Sequence, residues 1–203
     1  MSSAGRLLML IVTGVTILSG CKAPEEKKLY PHAILTPEPP RSIPDAKLVF
    51  GDGTPVSGDW LVGHWTWLYF GFANCPDVCP MALEFAAREY GRIRRKDQVQ
   101  VVFVSVDPDR DRSPKLKSFV TFYHPDFLGV TGTRKDIDTL AQAVGASYVI
   151  DKPAVAGGAY NVSHSNMVFI LNPQGQLSAV YAPGIPEGQM AEDFDHLLGK
   201  EKV

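Results

Sequence analysis

The sequence predicts an α/β domain, a central mixed sheet flanked by helices with a β-hairpin at its N-terminal edge. Three observations carry this. Residues 66–72 and 99–106 are nearly continuous apolar runs, the pattern of strands buried on both faces. Each run is followed by a segment whose apolar residues fall at helical spacing. Towards the C-terminus two short apolar runs flank Asn172-Pro173-Gln174-Gly175, the signature of an antiparallel hairpin. Alternation first and a hairpin last require both parallel and antiparallel neighbours in one sheet.

In chain order, Leu48-Val49-Phe50, Gly51-Asp52-Gly53 and Thr54-Pro55-Val56 read as a small hairpin whose glycines supply the turn. The first buried strand, Thr66 to Phe72, runs into a helix expected from Pro80 to Arg95, with Phe85, Ala86, Tyr90 and Ile93 on one side. Val99 to Val106 forms the second buried strand. Ser113-Pro114 reads as an N-cap followed by proline at the first helical position. Leu116, Phe119, Val120 and Tyr123 continue that helix, and a short strand is expected at Phe127 to Val130. Thr133 and Asp136 form a capping box for a helix bearing Ile137, Leu140, Ala141 and Val144. A short strand at Ser147 to Ile150, the hairpin of Met167–Leu171 with Leu177–Tyr181, and a helix through Met190, Phe194, Leu197 and Leu198 complete the order. It is the arrangement of thioredoxin with insertions.

The 203 residues suit one domain with attachments, and a 45% hydrophobic content is ample for a core. A net charge of −2 leaves no basic surface for nucleic acid. Arg6 precedes an apolar run of about a dozen residues, then Leu18-Ser19-Gly20-Cys21, which describes an export signal. The tetrad resembles the bacterial lipobox, whose cysteine carries the lipid. The expected organisation is a signal peptide at 1–20, a lipid-anchored tether at 21–43 and a globular domain at 44–203 on the periplasmic side of a bacterial membrane. The tether reading rests on the Lys/Glu- and Pro-rich composition of Lys22 to Ile43, which includes Pro24, Pro31, Pro37, Pro39 and Pro40. Cleavage after residue 20 leaves 19 basic and 22 acidic residues, a charge of −3.

With Cys21 assigned to lipid, two of the three cysteines remain, and they are four apart in Asn74-Cys75-Pro76-Asp77-Val78-Cys79-Pro80. Cysteines so close cannot staple distant parts of a fold, so in an oxidising compartment the pair reads as chemical. The loop sits where a buried strand becomes a helix, and the free N–H groups of a helix start favour thiolate. Thiolate is both nucleophile and metal ligand. Dithiol oxidoreductases separate their cysteines by two residues, whereas here three intervene. Two thiolates make an incomplete metal site, so a third ligand is expected among His32, His64, His124, His164 and His196. His32 is in the tether, His64 precedes the buried strand at the wrong end of the sheet, His124 ends a helix and His196 is on the last helix. His164 precedes the hairpin strand, and in a thioredoxin topology the loop entering that strand packs against the cysteine loop.

Phe70 to Pro80, Val104-Ser105-Val106-Asp107-Pro108-Asp109-Arg110-Asp111, His164-Ser165 and Asn172 to Gly175 together resemble the Sco/SenC family, over about Ile43 to Leu198. The resemblance implies a thioredoxin fold and copper bound by Cys75, Cys79 and His164. It also implies a role in assembling the dinuclear copper centre of cytochrome c oxidase, by supplying copper or by keeping acceptor cysteines reduced. The implied partners are the copper-bearing oxidase subunit and an upstream copper donor. Asp107 matches an acidic position of the family tied to copper binding or transfer; it reads equally as an aspartate capping a turn before Pro108. Asp77, inside the cysteine loop, is the other candidate for supporting or transferring the metal. Ser163 departs from a position that is often acidic in the family.

The donor set has its own chemistry. Two soft sulfurs and an imidazole suit copper, and Cu(I) accepts two or three ligands. Structural zinc prefers a closed four-ligand site, and no fourth Cys or His lies nearby in the sequence. A thiol–disulfide reductase using Cys75 and Cys79 is the competing reading. Thiol peroxidase activity has no specific residue pointing to it. Residues Asp107 to Arg112, alternating in charge, read as a solvated loop, and Gly157-Gly158 as a source of mobility before His164.

Overall fold

A computed structural model describes residues 33–35, 40–151 and 160–200. The elements in order are β1 (Ala33–Leu35), β2 (Arg41–Ser42), β3 (Leu48–Phe50), β4 (Trp65–Gly71), α1 (Val78–Arg92), β5 (Val99–Ser105), α2 (Lys115–Tyr123), β6 (Leu128–Gly132), α3 (Arg134–Val144), β7 (Tyr148–Ile150), β8 (Val162–His164), β9 (Val168–Leu171), β10 (Gln176–Tyr181) and α4 (Gln189–Lys200). The main sheet runs β1-β10-β9-β4-β5-β6-β3, with β2 also on β10; β7 and β8 form a separate two-stranded ribbon. β4, β5 and β6 are parallel, and β9, β10 and β3 are antiparallel to their neighbours. This is the mixed sheet flanked by helices that the sequence predicts.

β4 is buried at every position, as its unbroken apolar run requires. Trp65 and Trp67 meet Phe194 of α4 edge to face at 5.9 and 5.0 Å, which seats the last helix on the sheet. Phe103 of β5 stands between Tyr69 and Phe119 of α2. In α3 the expected stripe of Ile137, Leu140, Ala141 and Val144 is buried, and the Thr133 hydroxyl oxygen accepts the Asp136 amide at 3.2 Å. Asp136 also accepts the Lys47 amide at 3.0 Å, which ties the helix start to β3.

Several expectations move. α1 begins at Val78, not Pro80, because its first helical bond runs from the Met81 amide to the Asp77 carbonyl. Pro80 therefore sits in the opening turn, where an N–H has no carbonyl to meet. The helix ends at Arg92, leaving Ile93 extended. Its buried face is Cys79, Leu83, Ala86, Glu89 and Tyr90, while Phe85 is only partly covered. Glu89 is tolerated inside because it accepts the Gly188 and Ala191 amides at 2.6 and 3.0 Å, capping α4. Pro114, not Ser113, takes the N-cap position of α2, and no side chain caps it.

The turn at Gly51-Asp52-Gly53 forms, but β3 pairs mainly with β6, and its return is a single bridge from Val49 to Pro55. Gly51 is required there: a Cβ would lie 2.6 Å from the Lys117 amide nitrogen. Within the stretch read as a tether, Ala33–Leu35 and Arg41–Ser42 pair with β10 along the sheet edge. The expected signal peptide, Cys21, His32 and Gly157-Gly158 lie outside the described residues. No helix among the described residues is long and apolar enough to cross a membrane.

Candidate metal site

β4 ends at Gly71, and the chain turns through Phe72 to Asp77 before α1 begins. Cys75 lies in that turn, its amide donating to the Phe72 carbonyl at 3.1 Å. Cys79 is the second residue of α1, so its side chain enters beneath the helix start. Both cysteines are free thiols and buried, Cys75 8% exposed and Cys79 fully enclosed. Gly71 makes the room: a Cβ there would stand 2.6 Å from the Cys79 sulfur and 2.9 Å from the Phe103 ring. A glycine inside an apolar strand signals such a close approach, and that signal is legible in the sequence.

His164 arrives from the other side, as the last residue of β8, where the sequence suggests a loop. Its Nε2 is 3.2 Å from the Cys79 sulfur, and the Cys75, Cys79 and His164 ligand atoms all lie within 4.8 Å of one another. Among the described residues this is the one group of three or more Cys, His, Asp or Glu placed to hold a metal ion. The imidazole Nδ1 lies 3.2 Å from the Ser165 carbonyl, which only accepts, so Nδ1 carries the proton and Nε2 presents its lone pair to the sulfurs. Burial holds the His164 pKa below its ordinary value and keeps the ring neutral. Tyr69 and Phe72 meet the ring edge to face at 6.0 Å each, fixing its plane.

Burial pushes the Cys79 thiol well above the usual cysteine range, opposed by hydrogen bonding from Phe72. At Cys79, then, desolvation outweighs the thiolate-favouring field of the helix start. An ion bound here must displace that proton, and two free sulfurs with an oriented imidazole nitrogen fit a soft, low-coordinate metal.

The aspartates divide. Asp77 is exposed at the N-cap of α1 and makes no side-chain capping bond. Asp107 is fully buried and outside the metal-ligand group; it accepts from the Tyr160 hydroxyl at 2.6 Å and pairs with the Arg110 guanidinium. Arg110 also donates to the Tyr160 carbonyl at 3.0 Å and stacks over its ring at 3.7 Å. The expected solvated loop from Asp107 to Arg112 is therefore corrected at Asp107 and Asp111, both fully buried. Their carboxylates are satisfied inside the protein, which charge alternation alone does not reveal.

Asp111 is a residue that sequence reasoning misses. It accepts the Ala73 amide at 2.6 Å and the Ser105 hydroxyl at 2.8 Å, and Lys115 bonds both Asp111 and Asn74. That network clamps the two residues before Cys75. Tyr69 and Asn166 escape it as well; the Tyr69 hydroxyl donates to the Asn166 side chain at 2.6 Å, holding the chain just beyond His164. Of the other histidines, His64 is exposed before β4, and His124 packs against Tyr90 and Phe127.

A family model described as SCO1/SenC matches residues 36–199. A protein of Stutzerimonas stutzeri named for copper binding is 36% identical over 140 residues, 68% of this chain and 67% of its own length. The mitochondrial SCO1 homolog 1 of Arabidopsis thaliana is 36% identical over 129 residues, 63% of this chain; the match spans only 38% of that relative. The structure of Arabidopsis thaliana ScoI with copper bound superimposes with a TM-score of 0.69 at 28% identity, covering 78% of this chain and 99% of the other. With a matching fold, and with the paired cysteines and facing histidine inside the matched residues, this chain belongs to the SCO1/SenC family.

Proposed function

We propose that this chain is a copper metallochaperone in which the Cys75 and Cys79 sulfurs and His164 Nε2 hold one copper ion and pass it to the dinuclear copper centre of cytochrome c oxidase. The single observation that carries this is the convergence of those three ligand atoms within 4.8 Å. Membership of the SCO1/SenC family and the copper-bound Arabidopsis structure support the choice of metal. Three ligands leave Cu(I) open to attack by an incoming sulfur or nitrogen before its own ligands leave, which suits delivery over storage. Cys79 gives up its proton when the ion binds, and the tautomer of His164 presents its lone pair without a proton to lose. Asp77, exposed at the rim, is positioned for an incoming partner; Asp107 acts through Tyr160 and Arg110 on the segment that carries His164. Lipid attachment at Cys21 would hold the domain on the periplasmic side of a bacterial membrane.

Copper titration of the reduced protein tests this reading. One equivalent binds tightly, and His164→Ala weakens binding by more than about 100-fold, beyond the loss typical of a residue that only orients a ligand. A reductase using the same thiols predicts instead that His164→Ala leaves exchange with a disulfide-bonded acceptor peptide intact and that copper is not needed. Unchanged copper affinity in the variant overturns the three-ligand site.

A further inference from the structure

Three residues that frame the metal site also open onto an apolar groove of about 340 Å³. Val78 adjoins Cys79, Asn166 lies two residues beyond His164, and Tyr69 meets the His164 ring edge to face at 6.0 Å. Met81 and Phe85 of α1 complete one wall, and Ile185 after β10 stands on the other. Val78 and Met81 are 41% and 66% exposed, two of the few large apolar side chains left open on the described surface. An open apolar seat of this kind suits the anchoring side chain of a partner protein.

The charges at the rim indicate what kind of partner fits. Asp77, Met81, Glu84 and Arg88 are all exposed, and their spacing of three and four residues puts them on one stripe of α1. At the far end of the stripe the charge is cancelled. Arg88 and Arg92 pair with Glu187 at 3.6 and 2.7 Å, and Arg92 also pairs with the buried Glu89 at 3.1 Å. Two cations against two anions leave no net charge there. At the metal-site end, neither the Asp77 nor the Glu84 carboxylate meets a cation among the described residues. Met81 therefore stands between two uncompensated negative charges. Asn166 uses its side-chain carbonyl to accept from Tyr69 at 2.6 Å, and its amide N–H groups have no acceptor among the described residues. Apolar seat, acidic rim and free donor all lie on one flank of the metal site.

We propose that this flank docks the copper acceptor, taking a segment that carries an aliphatic or aromatic side chain flanked by lysine or arginine. The apolar side chain seats against Val78, Met81 and Ile185, the cations meet Asp77 and Glu84, and a backbone carbonyl of the segment accepts from Asn166. A segment held there lies beside both Cys79 and His164. Opposite charges at the rim speed the encounter and fix its register more than they add affinity, while the buried apolar anchor slows departure. The proposal rests on the metallochaperone reading and adds the side from which the acceptor approaches.

Binding kinetics test it, with the reduced full chain, copper-free and copper-loaded, against the soluble apo domain of the copper-bearing oxidase subunit. Met81→Asp should weaken the complex about tenfold through faster dissociation, the effect of losing one buried apolar side chain, and Met81→Leu should restore it. Glu84→Lys should slow association about tenfold and flatten its dependence on salt. Both variants should keep the copper affinity of the unsubstituted chain. A complex indifferent to both substitutions overturns the proposal, as does the absence of any complex. So does sedimentation showing that the substitutions break self-association instead, which would make the groove the seat of a second copy. Failure of the metallochaperone reading looks different: the complex forms and responds to both substitutions, but no copper moves from the chain to the acceptor domain.

Discussion

The cysteine side and the histidine side of the metal site are built from different kinds of structure. Cys75 and Cys79 follow β4, which is hydrogen-bonded on both sides in the main sheet and buried at every residue. The loop before Cys75 is clamped by Asp111 and Lys115, and Gly71 shapes the space for the second sulfur. His164 ends a three-residue strand in a separate two-stranded ribbon. Polar tethers hold that ribbon in place: Tyr160 to Asp107 and Arg110 on one side, Asn166 to Tyr69 on the other. A two-stranded ribbon is marginal alone, so the histidine owes its position to these few bonds, to buried Val162 and to the ring contacts with Tyr69 and Phe72. One half of the site is therefore part of the core and the other is leaned against it.

Substitutions can break this comparison, beginning with the ligands. Cys79→Ala should abolish tight copper binding, a loss above about 100-fold, because a ligand costs more than a residue that orients one. Thermal unfolding of the same variant should show that the fold persists. Next, Asp111→Ala leaves the Ala73 amide and the buried Ser105 hydroxyl without their acceptor. We expect a stability loss of about 2 kcal/mol in urea unfolding, the scale for orphaned buried donors. If instead stability is unchanged and only copper affinity falls, the cysteine side is not the rigid half.

The pH dependence should also divide between the halves. The Cys79 thiol is pushed up, so it is protonated in the neutral range, and each ion bound releases that proton. Lowering the pH from the neutral range should weaken binding by about tenfold per unit for that proton. The His164 pKa is lowered, so the ring stays neutral over the same range and adds no slope until more acid conditions. Isothermal titration at several pH values checks this; a slope that vanishes in His164→Ala would assign the proton to the wrong half. The smallest effect expected is that of Tyr160→Phe, which removes the hydroxyl donated to Asp107. Affinity should fall by about tenfold, at the low end for a residue that orients a ligand, with a stability change of about 1 kcal/mol or less. A stability loss as large as that of Asp111→Ala would mean that the ribbon, too, belongs to the core.

Much of this is legible from residues alone, because the signals are local. Continuous apolar runs mark β4 and β5, and the Thr133–Asp136 pair marks the start of α3. Four-residue spacing at a strand-to-helix turn marks the cysteines. Where local rules fail, a tertiary contact has overruled them. Glu89 is a charged residue on an amphipathic helix, yet it is buried to cap α4, 99 residues away in sequence. Asp107 and Asp111 read as members of a solvated charged loop, and partners 53 and 38 residues away make their burial tolerable. Ser113 has the right side chain for a cap but lies one residue outside the position that the backbone uses.

By itself, then, the sequence determined the α/β class, the order of the principal elements and the pair of sulfurs, since periodicity and short-range spacing depend on neighbours along the chain. Only the tertiary structure decided that His164 stands 3.2 Å from Cys79, which of its nitrogens is free, and that buried aspartates brace both approaches. The physical reason is distance along the chain. Cys79 and His164 are 85 residues apart, and their meeting depends on the pairing of β4 with β9 and on a separate ribbon that no local periodicity encodes.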